Sequence, residues 1–367
     1  MAIIILMRRD KMEFLLQPNV YSTGISSNLL NMLDHMWIRD HVSGKGCLYI
    51  ISGFSNYNGG VRFYPAFTEH TRKGGKIVAI VGGSASQRLS SIQVAEALLN
   101  CGVELYVVNR KRLLHAKCYG VVDCRGEELI VTSGNFTGPG MSQNAEAAIR
   151  IDQANVTAMG FSWEALLDKM CCQGWDIYKL EQADISDKRS PGWTLLYDEV
   201  HDTIKLDDTQ LVSMVVLLSH SDTARIQAVP GTDASKGTQY FWLSKASFDF
   251  FPALTEKNKR GIKNTYSCLI NMNYIDLGIT KQARVTFEAD NNLDFRLGTA
   301  AYRGTRLADE KDLAIITRRG EYDYEIRIIH KMDPKYALLL SYATQYIGGQ
   351  GKRFGYIGNS DLFAILQ

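Results

Sequence analysis

The chain has 367 residues, with 41 Lys and Arg against 39 Asp and Glu, a formal net charge of +2, and 46% apolar against 22% charged side chains. That length exceeds one ordinary core and predicts two domains, while the composition is globular and excludes a disordered polymer. No apolar run reaches the ~18–20 residues of a membrane span, and the near-neutral balance leaves anion binding to local clusters instead of a polybasic tail.

In chain order, Ala2–Met7 is apolar but is followed by Arg8, Arg9, Asp10 and Lys11. It is too short and too oddly flanked for a signal peptide. An N-terminal strand, or extra residues ahead of a start at Met12, are the two readings. Cys47–Ser52, Lys76–Val81 and Val103–Val108 read as buried strands, with a helix over Ser90–Asn100 between the last two. Strand–helix–strand at this spacing predicts a mostly parallel sheet covered by helices. Leu129–Thr132 and Ala147–Ile151 add strands, and Phe161–Met170 a closing helix. The polar run from Glu181 to Gly192 opens a linker, taken as 181–208, between a first domain of residues 1–180 and a second of 209–367. The second domain carries short β-like runs at Leu211–Leu218, Gln239–Leu243, Ser267–Met272, Arg284–Glu288, Ala314–Thr317, Tyr324–Ile329 and Arg353–Ile357. Gly, Asp and Asn clusters separate them, which predicts a mostly-β barrel or sandwich. The seven Cys have no framework spacing and read as free thiols in a reducing cytoplasm, and Cys171-Cys172 is no metal motif.

The chemistry gathers in Leu114–Glu146. His115 and Lys117 stand two apart in a strand pattern, which puts both on one sheet face. Ser133 and Asn135 share that relation at the end of the next strand. Such a quartet makes a compact phosphate pocket. His serves as nucleophile or proton donor near neutral pH, Lys as a point charge for phosphate oxygens, Ser and Asn as neutral donors for developing charge. Gly134, Gly138 and Gly140 are expected to let the backbone approach a ligand. No Asp/Glu cluster has two-metal spacing, which agrees with a metal-free route. Direct base reading needs Arg or Lys for guanine and Asn or Gln for adenine, and the second half offers Arg225-x-Gln227, Trp242, Lys257–Arg260, Arg284, Asn291-Asn292 and Lys352-Arg353.

His115-x-Lys117 followed by Ser133-x-Asn135 resembles the signature of the phospholipase D superfamily, which splits phosphodiesters without metal through a phosphohistidine. An Asp that follows the Lys in that pattern is replaced by Val122, with Asp123 one residue later. Glu146 resembles a downstream acidic residue of the superfamily's bacterial nucleases. The likeness is closer to the BfiI-type restriction endonucleases. It is carried by QPNVYSTG at Gln17–Gly24, LYIISGFSNYNGGVRF at Leu48–Phe63, GGSASQRLSS at Gly82–Ser91 and SGNFTGPGMSQ at Ser133–Gln143. GTQYFWLSK at Gly237–Lys245, INMNYID at Ile270–Asp276 and GKRFGY at Gly351–Tyr356 extend it from about Met12 to the last residue.

The resemblance implies an α/β phospholipase D-like nuclease domain followed by a mostly-β B-three-like pseudobarrel DNA-binding domain. It implies a type IIS enzyme of the bacterial cytoplasm that needs no magnesium. Such an enzyme recognises an asymmetric ACTGGG-type site in double-stranded DNA, cuts a few bases outside it, and shares that site with cognate methyltransferases. It also implies that Arg225, Trp242, Arg260, Arg284, Asn291 and Lys352 contact DNA. Phospholipase D chemistry uses two His-x-Lys motifs and this chain has one, so a homodimer with one shared site is expected. One His115 would be nucleophile and the other general acid. Lys117, Ser133 and Asn135 would hold the non-bridging oxygens, and Glu146 would orient a His or Lys. A lipid phosphodiesterase of the same superfamily and a DNA-binding protein with a dead nuclease are the competing readings. The single motif, the absent membrane-facing stretch and the appended β domain oppose the first; the intact quartet opposes the second. Finally, Glu181, Asp184, Asp187, Asp198, Glu199, Asp202, Asp207 and Asp208 outnumber Lys188, Arg189 and Lys205. The linker is therefore expected either to occupy the electropositive pocket or to be a solvated spacer.

Overall fold

The computed structural model describes residues 12–17, 21–109, 113–172, 176–182, 185, 188–202, 211–229, 231–260, 263–288, 294–347 and 351–367. The first eleven residues, for which two readings stand open, therefore lie outside the description. The chain divides into two compact units, Met1–Glu199 and Val200–Gln367.

Unit 1 is built on strands β1 (Glu13–Gln17), β2 (Tyr21–Ser22), β3 (Cys47–Ser52), β4 (Lys76–Gly83), β5 (Glu104–Asn109), β6 (Lys117–Asp123), β7 (Gly126–Thr132), β8 (Glu146–Ile151) and β9 (Ile177–Leu180). They join in one sheet of order β2-β1-β8-β7-β6-β3-β4-β5-β9. The strands expected among the described residues are present, but the sheet is not mostly parallel. Among the described residues only β3/β4 and β4/β5 run parallel, and every other neighbouring pair is antiparallel. The reason lies in the connections. Helices α3 (Tyr64–Arg72) and α4 (Ile92–Asn100) cross over between the parallel strands. By contrast, β6 turns into β7 through Cys124–Arg125 alone, and a two-residue connection can only reverse the chain.

Helices α1 (Leu29–Asp34), α2 (Tyr57–Gly60), α5 (Gln153–Ala158) and α6 (Trp163–Cys172) complete the layers. Ser91 caps α4, its Oγ accepting from the Val94 N–H at 3.1 Å. On one face Trp163 stacks on Tyr49 with ring centroids 4.8 Å apart. It lies so close over Gly120 that a Cβ there would stand 2.3 Å from the indole. On the other face Trp37 packs edge-on against Phe63, Phe67 and Tyr119 and donates its Nε1–H to the Gly120 carbonyl at 3.0 Å. Each such aromatic pair adds about 0.5–1.5 kcal/mol beyond its area.

Residues 193–199, which the sequence places in the linker, pack onto unit 1. Trp193 and Leu196 are buried. Tyr197 pairs with the backbone of Ser90 and Ile92. The Glu199 carboxylate accepts from the Tyr57 N–H at 2.8 Å and the Ser91 hydroxyl at 2.7 Å. Asp198 accepts from Gln93 at 2.7 Å, and Lys188 pairs with Glu96. These acidic groups are thus spent on α2 and α4 and not on a phosphate pocket. Asp184, Asp187, Lys205, Asp207 and Asp208 lie outside the described residues.

Unit 2 comprises β10 (Val212–Leu217), α7 (His220–Gln227), β11 (Tyr240–Leu243), β12 (Glu256–Arg260), β13 (Lys263–Tyr274), β14 (Ile279–Glu288), β15 (Phe295–Gly298), β16 (Leu313–Arg318), β17 (Asp323–Ile329), α8 (Tyr336–Leu340), β18 (Gln345–Tyr346), β19 (Arg353–Gly358) and α9 (Asn359–Leu366). The sheet order is β11-β15-β14-β13-β17-β16-β10-β19-β18, with β12 also on β13. All seven expected β runs are strands. Apolar side chains alternate inward along them, and Phe248, Phe250, Phe251, Phe287, Phe295 and Tyr324 form an aromatic core.

Burial pushes the Glu199 carboxyl up to about 7 against hydrogen bonds from Ser91 and Tyr57 that favour its charge. The unfolded chain releases that proton near pH 4.3. Between about pH 4.5 and 7 the folded protein holds a proton that the unfolded chain has lost, so this group's contribution to stability falls as pH rises through that window. Glu199→Gln keeps an acceptor oxygen and removes the titration. Its melting temperature should vary less between pH 5 and 7 than the parent's in a calorimetric pH series; equal slopes would overturn the assignment.

Candidate active site and DNA-reading face

The pairing of β6 decides the site. Its first residue, Lys117, sits opposite Ser52, the last residue of β3. Because β6 is also antiparallel to β7, its start meets the end of β7, where Ser133 and Asn135 follow. Strand β8 starts at the same edge with Glu146. The five expected side chains are therefore gathered at one edge of the sheet.

His115 is not in a strand: β6 begins at Lys117, so strand alternation does not set the pair. Instead Lys117, buried at its base, folds its Nζ to 3.1 Å from both ring nitrogens of exposed His115 and 2.9 Å from the His115 carbonyl. Desolvation pulls the Lys117 ammonium below the ordinary lysine range, and the Glu146 charge pushes it back up. The Ser133 hydroxyl donates to Glu146 and accepts the Ala147 N–H at 3.1 Å. Asn144 donates to the other Glu146 oxygen at 3.1 Å. Asn135 Oδ1 accepts the Phe54 N–H at 3.1 Å, which leaves the NH2 end of that amide as the donor for a ligand. The edge thus offers an imidazole, an ammonium and an amide donor, beside a hydroxyl whose proton lies on the Glu146 carboxylate.

One expectation is corrected, and one open position is placed. The loop glycines bring the chain close to itself, not to a ligand. A Cβ on Gly140 would lie 2.4 Å from the Asn135 carbonyl oxygen, and one on Gly134 2.7 Å from the Gly140 carbonyl oxygen. The Gly138 N–H is taken by Asn56. Asp123 ends β6 at the opposite edge, about 20 Å from Lys117 at ~3.3 Å per strand residue. There it binds Arg125 and stands 3.4 Å from His41, a structural role.

Sequence inspection gave Gly53 no role of its own. A Cβ there would stand 2.6 Å from the Leu114 carbonyl oxygen and 3.3 Å from His115 Cα. Backbone atoms cannot swing aside, so only glycine lets the His115 segment lie against β3. The signal was a glycine directly after a buried strand. Gly53→Ala should shift His115 and lower the cleavage rate by roughly 10²-fold, with DNA affinity unchanged in a gel-shift titration. An unchanged rate would show that the contact is not limiting.

In unit 2 one face of the sheet carries a cross-strand row of half-buried side chains that ends on buried Ser267. Trp242 on β11 faces Arg296 on β15, which faces Thr286 on β14, which faces Ser267 on β13. Arg284 shares this face, ion-paired with Glu256 and donating to Ser267 Oγ at 2.8 Å. Arg225, in the last turn of α7, donates to the Lys236 carbonyl at 3.0 Å with its guanidinium 5.9 Å from the Tyr240 ring. Trp242 is half-buried, while its neighbour Phe241 takes the core. Arg225, Trp242 and Arg284 thus belong to one surface. Tyr240 and Arg296, missed in the sequence, join it. The Arg296 guanidinium lies 5.2 Å from the Tyr240 ring and 5.9 Å from Trp242, held by Glu288. The apolar–Arg–apolar alternation of Phe295-Arg296-Leu297 was the available signal. Lys352 is different: it is buried, with its ammonium on Asp222 and the Trp242 carbonyl. Arg260 ends β12 opposite Lys263, and Asn291 lies outside the described residues.

Among the described residues no group of three or more His, Cys, Asp or Glu side chains could hold a metal ion. No described helix is long and apolar enough to cross a membrane.

Residues 206–367 match the family model of the metal-independent restriction enzyme BfiI DNA-binding domain. Residues 49–160, which include His115, Lys117, Ser133, Asn135 and Glu146, match that of the cardiolipin synthase phospholipase D-like domain. No curated protein matches the chain. Among solved structures, the phospholipase D family member Nuc from Salmonella typhimurium is 16% identical, with 47% of this chain and 98% of that chain covered and a TM-score of 0.34. NucT from Helicobacter pylori is 12% identical, over 46% and 99%, with a TM-score of 0.32. Polyphosphate kinase from Porphyromonas gingivalis is 10% identical, over 90% and 50%, with a TM-score of 0.33.

Proposed function

We propose that this chain is a DNA-binding phosphodiesterase of the BfiI-type restriction endonuclease family, and that it cuts both strands of double-stranded DNA without a metal, a few bases outside a short asymmetric site. The observation that carries this reading is the His115–Lys117 pair at 3.1 Å, set with Ser133, Asn135 and Glu146 inside the segment that matches the phospholipase D-like model. On this reading one His115 attacks phosphorus and the ester oxygen leaves with a proton from a second His115. Water then releases the phosphohistidine as a 5′- or 3′-phosphate end. Lys117 and Asn135 hold the non-bridging oxygens of the five-coordinate state, Ser133 joins them once its hydroxyl turns from Glu146, and Glu146 balances the Lys117 charge. Unit 2 is of the B-three-like pseudobarrel kind and reads an ACTGGG-type site. Arg225, Trp242, Arg260, Arg284 and Asn291 are its DNA contacts. The enzyme works in the bacterial cytoplasm, beside methyltransferases that modify the same site.

The second His115 comes from a second copy of the chain. An apolar row supports this. Phe14, Ile149, Val131, Cys118 and Ile51 stand opposite one another across β1, β8, β7, β6 and β3 on one sheet face. Trp163 and its helix cover the β3 end of that row. At the other end Phe14, Val131 and Tyr21 remain 37%, 42% and 54% exposed. The ladder with β8 continues one residue past β7, the Ser133 N–H bonding the Ala147 carbonyl at 3.0 Å, so alternation carries from Val131 to Ser133. A two-fold partner laid on this face would bring two copies of the site together.

Two measurements test the reading. Incubated with plasmid in EDTA, the protein should yield discrete fragments, and His115→Ala should lose cleavage by roughly 10³-fold or more while keeping cognate binding. A strict magnesium requirement, or loss of binding along with cleavage, would overturn it. Val131→Glu should give a monomer by sedimentation that no longer cuts. A monomer that cuts at the parent rate would refute the shared site.

A further inference from the structure

We propose that Lys352 is a positioning residue of the DNA-reading face and not one of its DNA contacts: with Asp222 it forms a buried node that fixes Trp242 and helix α7 relative to each other. The proposal rests on the reading of this face as the DNA interface.

Asp222 is fully buried at the third position of α7. One of its carboxylate oxygens accepts from the Ser219 N–H at 2.7 Å, the Ser219 hydroxyl at 2.5 Å and Lys352 Nζ at 2.6 Å. The other accepts the Trp242 N–H at 2.8 Å. Its own backbone carbonyl accepts from Gln239 at 2.7 Å. Lys352 completes the loop by donating to the Trp242 carbonyl at 2.6 Å. Both main-chain polar groups of Trp242 are therefore bound by one buried ion pair.

The consequence for the face is geometric. Trp242 and Arg225 come from different elements, β11 and α7, and the node joins the start of α7 to β11. Arg296 packs against Tyr240 and Trp242 from neighbouring strand β15, so its place depends on theirs. A lysine whose side chain is 5% exposed, with two short bonds to protein, has little reach toward a phosphate. Extracting it would leave the Asp222 charge buried without its cation, which is strongly unfavourable. Burial also pulls its ammonium below the ordinary lysine range while Asp222 pushes back.

Reductive methylation of the intact free protein, mapped by peptide mass spectrometry, tests the placement directly. Lys352 should react at least tenfold more slowly than exposed Lys331, with or without cognate duplex. Labelling of Lys352 at the Lys331 rate in the free protein, with protection by cognate DNA, would overturn the proposal. This outcome does not depend on the nuclease assignment, so failure of that assignment stays distinguishable. Binding then tests the role. Lys352→Met should lower affinity for cognate duplex at least tenfold and for random duplex less than threefold, with the salt slope of log K unchanged. Asp222→Asn should do the same, and the double variant should be no worse than either, since both remove one node. A phosphate contact behaves oppositely: all sequences weaken alike and the salt slope falls by about one. That pattern in Lys352→Met, with an unchanged melting temperature, would refute the positioning role.

Discussion

Strand β6 runs antiparallel to both its neighbours, and the geometry of unit 1 follows from that insertion. A strand in the parallel direction would have put His115 and Lys117 at the edge where β3 and β7 begin. Reversed, its start meets the exits of β3 and β7, and four chain segments converge within hydrogen-bond reach. Ser52 Oγ then accepts the Phe136 N–H at 2.8 Å and donates to the Phe54 carbonyl at 2.6 Å. Asn135 returns a bond to Phe54. Such convergence satisfies loop polar groups that would otherwise be buried without partners. It demands close backbone approach, which is why Gly53, Gly59, Gly134 and Gly140 sit where a Cβ would strike main chain.

Two buried lysines show how the same side chain can be held for different ends. Lys117 is desolvated at the sheet edge, bonded to a carbonyl and an imidazole, with Glu146 as its charge counterpart through space. Its charge is met by a ring and a main-chain carbonyl in place of a direct carboxylate. Lys352 has a direct carboxylate partner and a main-chain carbonyl, so its charge is spent within the protein. The difference is one of partner geometry, since both ammonium groups are pulled down by burial.

The two carboxylates Glu146 and Glu199 divide along similar lines. Glu146 orders Ser133 and Asn144 at the edge where β7 ends and β8 begins. Glu199 ties the last turn of unit 1 to the starts of α2 and α4. Through Asn56, whose side chain takes the N–H groups of Gly59 and Gly138, α2 is in turn linked to the loop after Asn135. The end of unit 1 is thereby part of the support of its site.

Much of this was legible along the chain. Buried strands such as Cys47–Ser52 and the helix capped by Ser91 announce themselves by local composition and periodicity. The pairs His115/Lys117 and Ser133/Asn135 stand out by spacing and by family likeness, and the alternation of unit 2 marked its seven principal strands. Other features depended on tertiary contacts. The sheet's antiparallel majority came from which strands pair, the tying of residues 193–199 to unit 1 from side chains far away in sequence, and the loop glycines' role from the collision of two backbones. Lys352 is the sharpest case. A lysine in a basic dipeptide reads as exposed, and only the fold brings Asp222 and Trp242 to it. Local sequence determines propensity and chemistry, whereas burial and partnership are sums over contacts remote in the chain, and those exist only once it has folded.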